Sequence, residues 1–265
     1  MKRLFIILVV FVLFQSCAKE YSFEGGRARD TLLIITPNID TAQRPVVDSA
    51  LKDTTSFLVK KYVEKRGNTS EEYNFSYDAQ GRLVSKISVT GSNRFIYQYN
   101  GDNTFTMDFF KGSTLSTRQI FYLNNLNLVD SLVEINYDRK DTVSEKYIYN
   151  VNRLLVQVRE YDIVNTRSVL KNTTTAEYDT NGNVTKEYNT NNNQIAYQYT
   201  NLPFNLNIGL NFFSRNTNLI QTSTYSGSRN LVLTHSYTFD NLKRLTSETV
   251  TDANGNIVVV KLYSY

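Results

Sequence analysis

Tyr73-Asn74-Phe75-Ser76-Tyr77-Asp78-Ala79-Gln80-Gly81-Arg82-Leu83 holds a strand, a turn and the start of a second strand. Tyr73, Phe75 and Tyr77 alternate with Asn74 and Ser76, the period of a strand with one buried face. Asp78-Ala79-Gln80-Gly81 supplies turn residues, because glycine accepts positive φ without a steric penalty. Beyond it Leu83, Ile87 and Val89 alternate against Val84, Lys86 and Ser88, so the stretch predicts a β-hairpin.

The same pattern recurs on both sides of the chain. Tyr97 and Tyr99 precede Phe105, Met107 and Phe109; Tyr147 and Tyr149 precede Leu154, Val156 and Val158; Tyr237 and Phe239 precede Leu245. Aligned on the second aromatic, the copies stand at Tyr77, Tyr99, Tyr122, Tyr149, Tyr178, Tyr199, Phe239 and Tyr265. An apolar residue follows six positions later at Leu83, Phe105, Leu128, Leu155, Val184 and Leu245. Repeats of this length mean a quasi-periodic architecture.

No apolar stripe of helical period occurs between Phe57 and Tyr265, so almost no helix is expected. Burying one aromatic side chain removes about 150 to 250 Å² from water, about 4 to 6 kcal/mol gross. Without helices to cover the aromatic face, the sheet must curl on itself. The predicted fold is all-β, an antiparallel meander of roughly 14 to 17 strands in repeated hairpins, curled into a barrel or rolled half-barrel, aromatic face inward. Pro203 should end or edge a strand, and the long gap between Tyr199 and Phe239 predicts an inserted hairpin around residues 206 to 224.

The fullest copies are the opening stretch, Tyr178-Asp179-Thr180-Asn181-Gly182-Asn183-Val184 and Tyr237-Thr238-Phe239-Asp240-Asn241-Leu242-Lys243-Arg244-Leu245. The unit resembles the YD repeat of RHS proteins, which runs Tyr-Asp, two residues, Gly-Arg-Leu. The chain is also similar to Bacteroidetes lipoproteins of unknown function with a porin-like β fold. The resemblance spans roughly residues 57 to 265 and implies an architecture, with little about activity.

At the N-terminus Lys2 and Arg3 precede an unbroken apolar run from Leu4 to Phe14, then Gln15, Ser16 and Cys17. Eleven apolar residues make a helix of about 16 Å, too short for a bilayer core of about 30 Å, so residues 1–16 read as a signal peptide. Cys17, the only cysteine, stands where the signal should end and resembles the lipidated cysteine of bacterial lipoproteins. Leu13 and Ser16 fit that lipobox, whereas Phe14 and Gln15 are bulkier than its usual pair. An exported lone thiol has no disulfide partner in its own chain, which also favours lipidation.

Residues 17–55 read as a flexible tether after the lipidated cysteine, with Pro37, Pro45 and many small polar residues, and residues 56–265 as the β domain. Four Asp-Ser/Thr triplets in the tether, three followed by an apolar residue and one by Thr55, resemble the Asp-Ser/Thr-apolar O-glycosylation acceptor of those bacteria. They place possible glycans on Thr31, Thr41, Ser49 and Thr54, with further instances at Ser131 and Thr142. The alternative is a plain polar linker.

Composition excludes several chemistries. One histidine and one cysteine leave little for metal, thiol or triad sites, and no catalytic, metal or cofactor-binding residue is predicted. His235, between Leu233 and Tyr237 on the apolar face, is expected to be a satisfied interior residue. The stretches 179–183 and 252–256 superficially match calcium loops, but glycine stands fourth instead of sixth and no distal glutamate follows. Glu71 and Glu72 point to opposite faces, wrong for paired acid and base work. Net charge is +4, and about +2 without Lys2 and Arg3, which argues against nucleic acid as a partner.

The expected function is a non-enzymatic cell-envelope lipoprotein, held to the outer membrane by its lipid anchor and periplasmic or surface-exposed. Its β scaffold would serve adhesion or assembly with another envelope protein. The alternative is a glycan-binding surface lipoprotein using tyrosine stacking, marked by an outward aromatic row such as Tyr62, Phe110 and Phe121. A third reading is an outer-membrane barrel, suggested by the aromatic-ended strand Ile257 to Tyr265. It is opposed by polar residues at presumed outward positions, Lys86, Gln98, Lys146, Thr175, Glu177, Ser236 and Glu248.

Overall fold

The repeated turn is built by one side chain. In the computed structural model, which describes residues 58–165, 167–204, 206, 208, 210, 216–228 and 230–265, the Asp78 Oδ1 accepts the main-chain N–H groups of Gln80 and Arg82 at 3.0 and 2.9 Å. Asn124, Asn150, Asp179, Asn189, Asp240 and Asp252 do the same two and four residues ahead. The residue three ahead takes positive φ in each: Gly81, Asn127, Arg153, Gly182, Asn192, Lys243 and Gly255. Glycine is therefore favoured there and not required. Arg82 and Arg244 donate Nε to the second oxygen of Asp78 and Asp240 at 2.7 Å, which is what Gly-Arg and Lys-Arg supply in those copies. Asp179 and Asp252 spend their carboxylates in this way, so the stretches with a calcium-loop look are hairpin turns.

These turns and other short connections join β1 (Lys61–Arg66), β2 (Thr69–Tyr77), β3 (Leu83–Ser88), β4 (Asn93–Tyr99), β5 (Thr104–Lys111), β6 (Thr114–Leu123), β7 (Val129–Asn136) and β8 (Asp141–Tyr149). The chain continues through β9 (Leu155–Val164), β10 (Arg167–Tyr178), β11 (Val184–Asn189), β12 (Gln194–Pro203), β13 (Asn218–Ser226), β14 (Leu231–Phe239), β15 (Leu245–Asp252) and β16 (Ile257–Ser264). Every strand pairs antiparallel with its sequence neighbours, and β1 pairs with β16, so the 16 strands close a meander barrel with no helix among the described residues. Full closure leaves neither end strand as an edge.

Aromatic residues fill the interior. Tyr62, Tyr73, Tyr97, Phe105, Tyr147 and Tyr263 belong to one buried cluster. Phe105 and Phe121 stack with ring centroids 4.4 Å apart.

The alternation read from the sequence is correct before the turns and through the β4–β5 hairpin, where Phe105, Met107 and Phe109 face Tyr99, Tyr97 and Phe95, but it changes phase after turns that carry a register shift. Tyr77 faces Leu83, but the next pair inward is Phe75 with Lys86, because the register shifts by one residue between Ser76 and Tyr77. Val84 is the extra residue of this β-bulge, which moves every later side chain of β3 to the other face. Leu83 is thus interior, whereas Val89 is exposed and Ser88 buried. Lys86 points inward, with Nζ 4.3 Å from the Tyr73 ring centroid. Glu248 is interior for the same reason, since the register shifts between Thr238 and Phe239 and leaves Tyr237 opposite Glu248. Lys86 and Glu248 therefore leave the set of presumed outward positions; Gln98, Glu177 and Ser236 stay exposed.

Two further expectations change. Leu123, and not Tyr122, occupies the position equivalent to Tyr77: Asn124 closes that turn onto Leu128, and Leu123 faces Val129. Phe121 faces the core while Tyr122 is 39% exposed. Among the described residues no inserted hairpin is seen between β12 and β13: Leu206, Ile208 and Leu210 are buried in the central cluster, and residues 218–224, which the expectation gave to that hairpin, belong to the barrel strand β13. Asn183 fastens the start of β13, its Oδ1 accepting N–H groups of Thr217 and Asn218 at 2.9 Å. The rim that carries both ends of the described chain is thereby filled with apolar side chains. Cys17, Thr31, Thr41, Ser49 and Thr54 lie outside the described residues, as do the signal and tether segments.

Candidate functional site

The interior has two zones. Near the filled rim, the repeated tyrosines reach across to the preceding strand. Tyr99, Tyr149, Tyr178, Tyr199, Tyr237 and Tyr265 donate their hydroxyls to the main-chain carbonyls of Leu83, Val129, Leu155, Val184, Ile220 and Leu245 at 2.6 to 2.9 Å. Tyr77 does the same to Val59. Phe239 has no hydroxyl, and Tyr237, two residues earlier, makes the contact in its repeat. Each bond staples one hairpin to the next. Tyr199→Phe is expected to lower stability by about 1 to 2 kcal/mol, the cost of leaving a buried acceptor unpaired. Tyr188→Phe, at an exposed ring, should change it by under about 0.5 kcal/mol. Urea denaturation of the two variants is the check.

The second zone is charged. Glu248 is directly opposite Lys261, and Lys261 is opposite Glu64 on β1. The Glu248–Lys261 pair is 3.0 Å apart with both side chains at most 5% exposed. Burial alone would push Glu248 up, but the Lys261 ammonium and the hydrogen bond to His235 outweigh it and hold the carboxyl at about 2. His235 Nδ1 lies 2.8 Å from Glu248 Oε1, and its Nε2 lies 3.1 Å from Ser223 Oγ. His235 is thus the satisfied interior histidine expected from its place in the strand.

Ser223, His235 and Glu248 stand in the order of an acyl-transfer relay, a juxtaposition that counting histidines had set aside. The geometry differs from a working nucleophile. Ser223 sits mid-ladder, paired with Tyr197 on one side and Leu233 on the other, and is 2% exposed. Glu248 is committed to a lysine. The array neutralises buried charge and presents no hydroxyl to a substrate.

The residues singled out for glycan binding do not form an outward row. Tyr62 and Phe121 are buried, and Phe110 lies under the Arg94 guanidinium, 4.8 Å from its ring centroid. Ser131, one of the additional acceptor triplets, is 1% exposed, which closes it to modification in the folded barrel. Glu71 and Glu72 do diverge: Glu71 takes the Tyr73 hydroxyl inside, while Glu72 pairs with Lys61 outside at 2.7 Å.

The outer face mixes charge with isolated apolar side chains. Lys61, Asn74, Ile87, Arg94 and Phe110 stand side by side from β1 to β5.

No family model matches the sequence, and no curated protein is similar to it. Among solved structures the chain is similar to a porin-like protein from Bacteroides uniformis ATCC 8492, with 14% identity and a TM-score of 0.55, covering 79% of this chain and 97% of that one. A porin-like protein from Bacteroides vulgatus ATCC 8482 gives 14% identity and a TM-score of 0.49, over 79% of this chain and 98% of that one. The Tc holotoxin pore of Photorhabdus luminescens gives 11% identity and a TM-score of 0.24, over 78% of this chain and 14% of that one. At such identity the first likeness establishes a porin-like barrel fold and nothing about what passes through it or binds it.

Proposed function

We propose that this chain is a non-enzymatic envelope lipoprotein whose YD-repeat-like barrel is a water-facing scaffold for adhesion or assembly, held to the outer membrane through Cys17. The observation that carries this reading is the polarity of the outer face. A barrel embedded in lipid needs a continuous outward apolar band about 25 Å tall. Here Lys61, Asn74 and Arg94 interrupt the outer row of β1 to β4, and Gln98, Glu177, Ser236 and Thr238 face outward on other strands. Most of the repeated aromatic residues are turned inward, and the outward ones, such as Phe110, Tyr122 and Tyr188, are scattered among polar neighbours.

A barrel with such an outer wall reaches a membrane through an anchor, and Cys17 is the residue placed to carry one. Mixed charges on the outer wall suit contact with another envelope protein. The test is fractionation of the full chain and of Cys17→Ala expressed with export intact. The wild-type chain should float with membranes, and Cys17→Ala should move to the soluble fraction without detergent. Retention of Cys17→Ala in membranes, with heat-modifiable mobility in detergent gels, would replace this reading with an embedded barrel.

A further inference from the structure

Among the described residues seven glutamates stand on the lumenal face, and six of them are accounted for. Glu64 takes Tyr62 and Arg66, Glu71 takes Tyr73, and Glu248 takes His235 and Lys261. Gln119 donates to Glu134 at 2.8 Å, Lys171 pairs with Glu160 at 2.7 Å, and Tyr197 donates to Glu187 at 2.7 Å. Glu145 on β8 is the exception: its Oε2 is shut off from solvent and has no hydrogen-bond partner.

The surroundings sharpen the anomaly. Glu145 is directly opposite Glu160 on β9, and Glu134 lies diagonally across on β7. Like charges facing each other across strands are destabilising. Burial, then Glu160 and Glu134, drive the Glu145 carboxyl well above the usual carboxylate range, with Lys171 acting weakly the other way. The nearby cations are already engaged. Lys171 holds Glu160 and Asp162 at 2.7 and 3.2 Å, and Arg139 holds Asp141 at 2.8 Å and Glu134 at 3.6 Å. Glu134 and Glu160 are a quarter or more exposed, so solvent reaches the cluster.

We propose that Glu134, Glu145 and Glu160 form a lumenal site for a primary ammonium group. A bare metal ion fits less well, because among the described residues no three acidic or histidine side chains converge as metal ligands must. An ammonium carries three donors that can reach spaced carboxylates, and it removes the like-charge opposition at Glu145. Because Glu145 ionises to accept it, binding releases a proton and tightens as pH rises; Glu134, Glu160, Asp141, Asp162, Lys171 and Arg139 are the other charged groups facing the site.

The test is calorimetric titration of the full chain with spermidine in one arm and with an N-acetyl-lysine amide in the other, which separates a free polyamine from a lysine side chain. At least one amine should bind. Its affinity should fall at least tenfold in Glu145→Gln and stay unchanged in Glu177→Gln, an outward control. Ligand-free Glu145→Gln should also melt a few degrees above wild type, since the substitution keeps the shape and removes the like-charge opposition to Glu160 and Glu134. Absence of binding by both amines, equal affinity in Glu145→Gln, or a lowered or lost folding transition in that variant would each overturn the proposal.

Discussion

Lys261→Ala is expected to be among the most damaging single substitutions in the barrel, costing about 3 to 5 kcal/mol at neutral pH. The loss has two parts: a buried ion pair is broken, and Glu248 is left charged inside with only His235 beside it. The pH dependence follows from the Glu248 carboxyl, held at about 2 against an ordinary value of 4.5. A group depressed in the folded state contributes stability that is complete above its unfolded value and lost as pH falls through the folded one. Wild-type stability should therefore decline between about pH 4.5 and pH 2 on account of this group. Without Lys261, burial pushes Glu248 upward, and that part of the acid sensitivity should vanish. Replacing both partners by apolar residues, Lys261→Met with Glu248→Leu, should recover most of the loss. Urea denaturation at pH 7 and pH 3 reads all of these, and a loss under about 1 kcal/mol in Lys261→Ala would sink the account.

Phe105→Ala should cost about 3 to 5 kcal/mol, as expected for emptying a filled aromatic site. Phe105 is 1% exposed and lies between Phe121 and Tyr99, whose ring centroids are 4.4 and 5.6 Å away. The matching control is Tyr122→Ala, next in sequence to Phe121 but on the opposite face, which should cost under about 1 kcal/mol. Equal losses at positions 105 and 122 would mean that the register of β6 is wrong. Denaturant midpoints at constant slope would settle the comparison.

Much of the barrel was legible because the information is local. Tyr73, Phe75 and Tyr77 show one face by simple alternation, and Asp78 with Gly81 announces the turn through residue chemistry acting over four positions. The count of strands and their meander order follow from repeating that unit. What escaped detection is non-local or hidden in phase. Nothing about Val84 marks it as the bulged residue, so Lys86 and Glu248 looked outward although one extra residue carries them inside. Leu206, Ile208 and Leu210 alternate as a strand would, whether they line a wall or fill a mouth. The candidate sites were illegible for a related reason. Ser223, His235 and Glu248 come from three successive strands, and Glu134, Glu145 and Glu160 from another three. Their neighbourhoods exist only once register is set, and counting phase through each bulge is the signal that could have found them.

The pairing of β1 with β16 has a kinetic consequence. The partners Lys61 and Ser264 are separated by nearly the whole described chain, whereas every other strand pair is a local hairpin neighbour. Hairpins can therefore form quickly and early, while the last zip waits on the slow search that brings distant segments together. Until then the nascent ribbon exposes two sticky margins, so shortening the chain by a single terminal strand should leave them open for good and make the barrel domain self-associate.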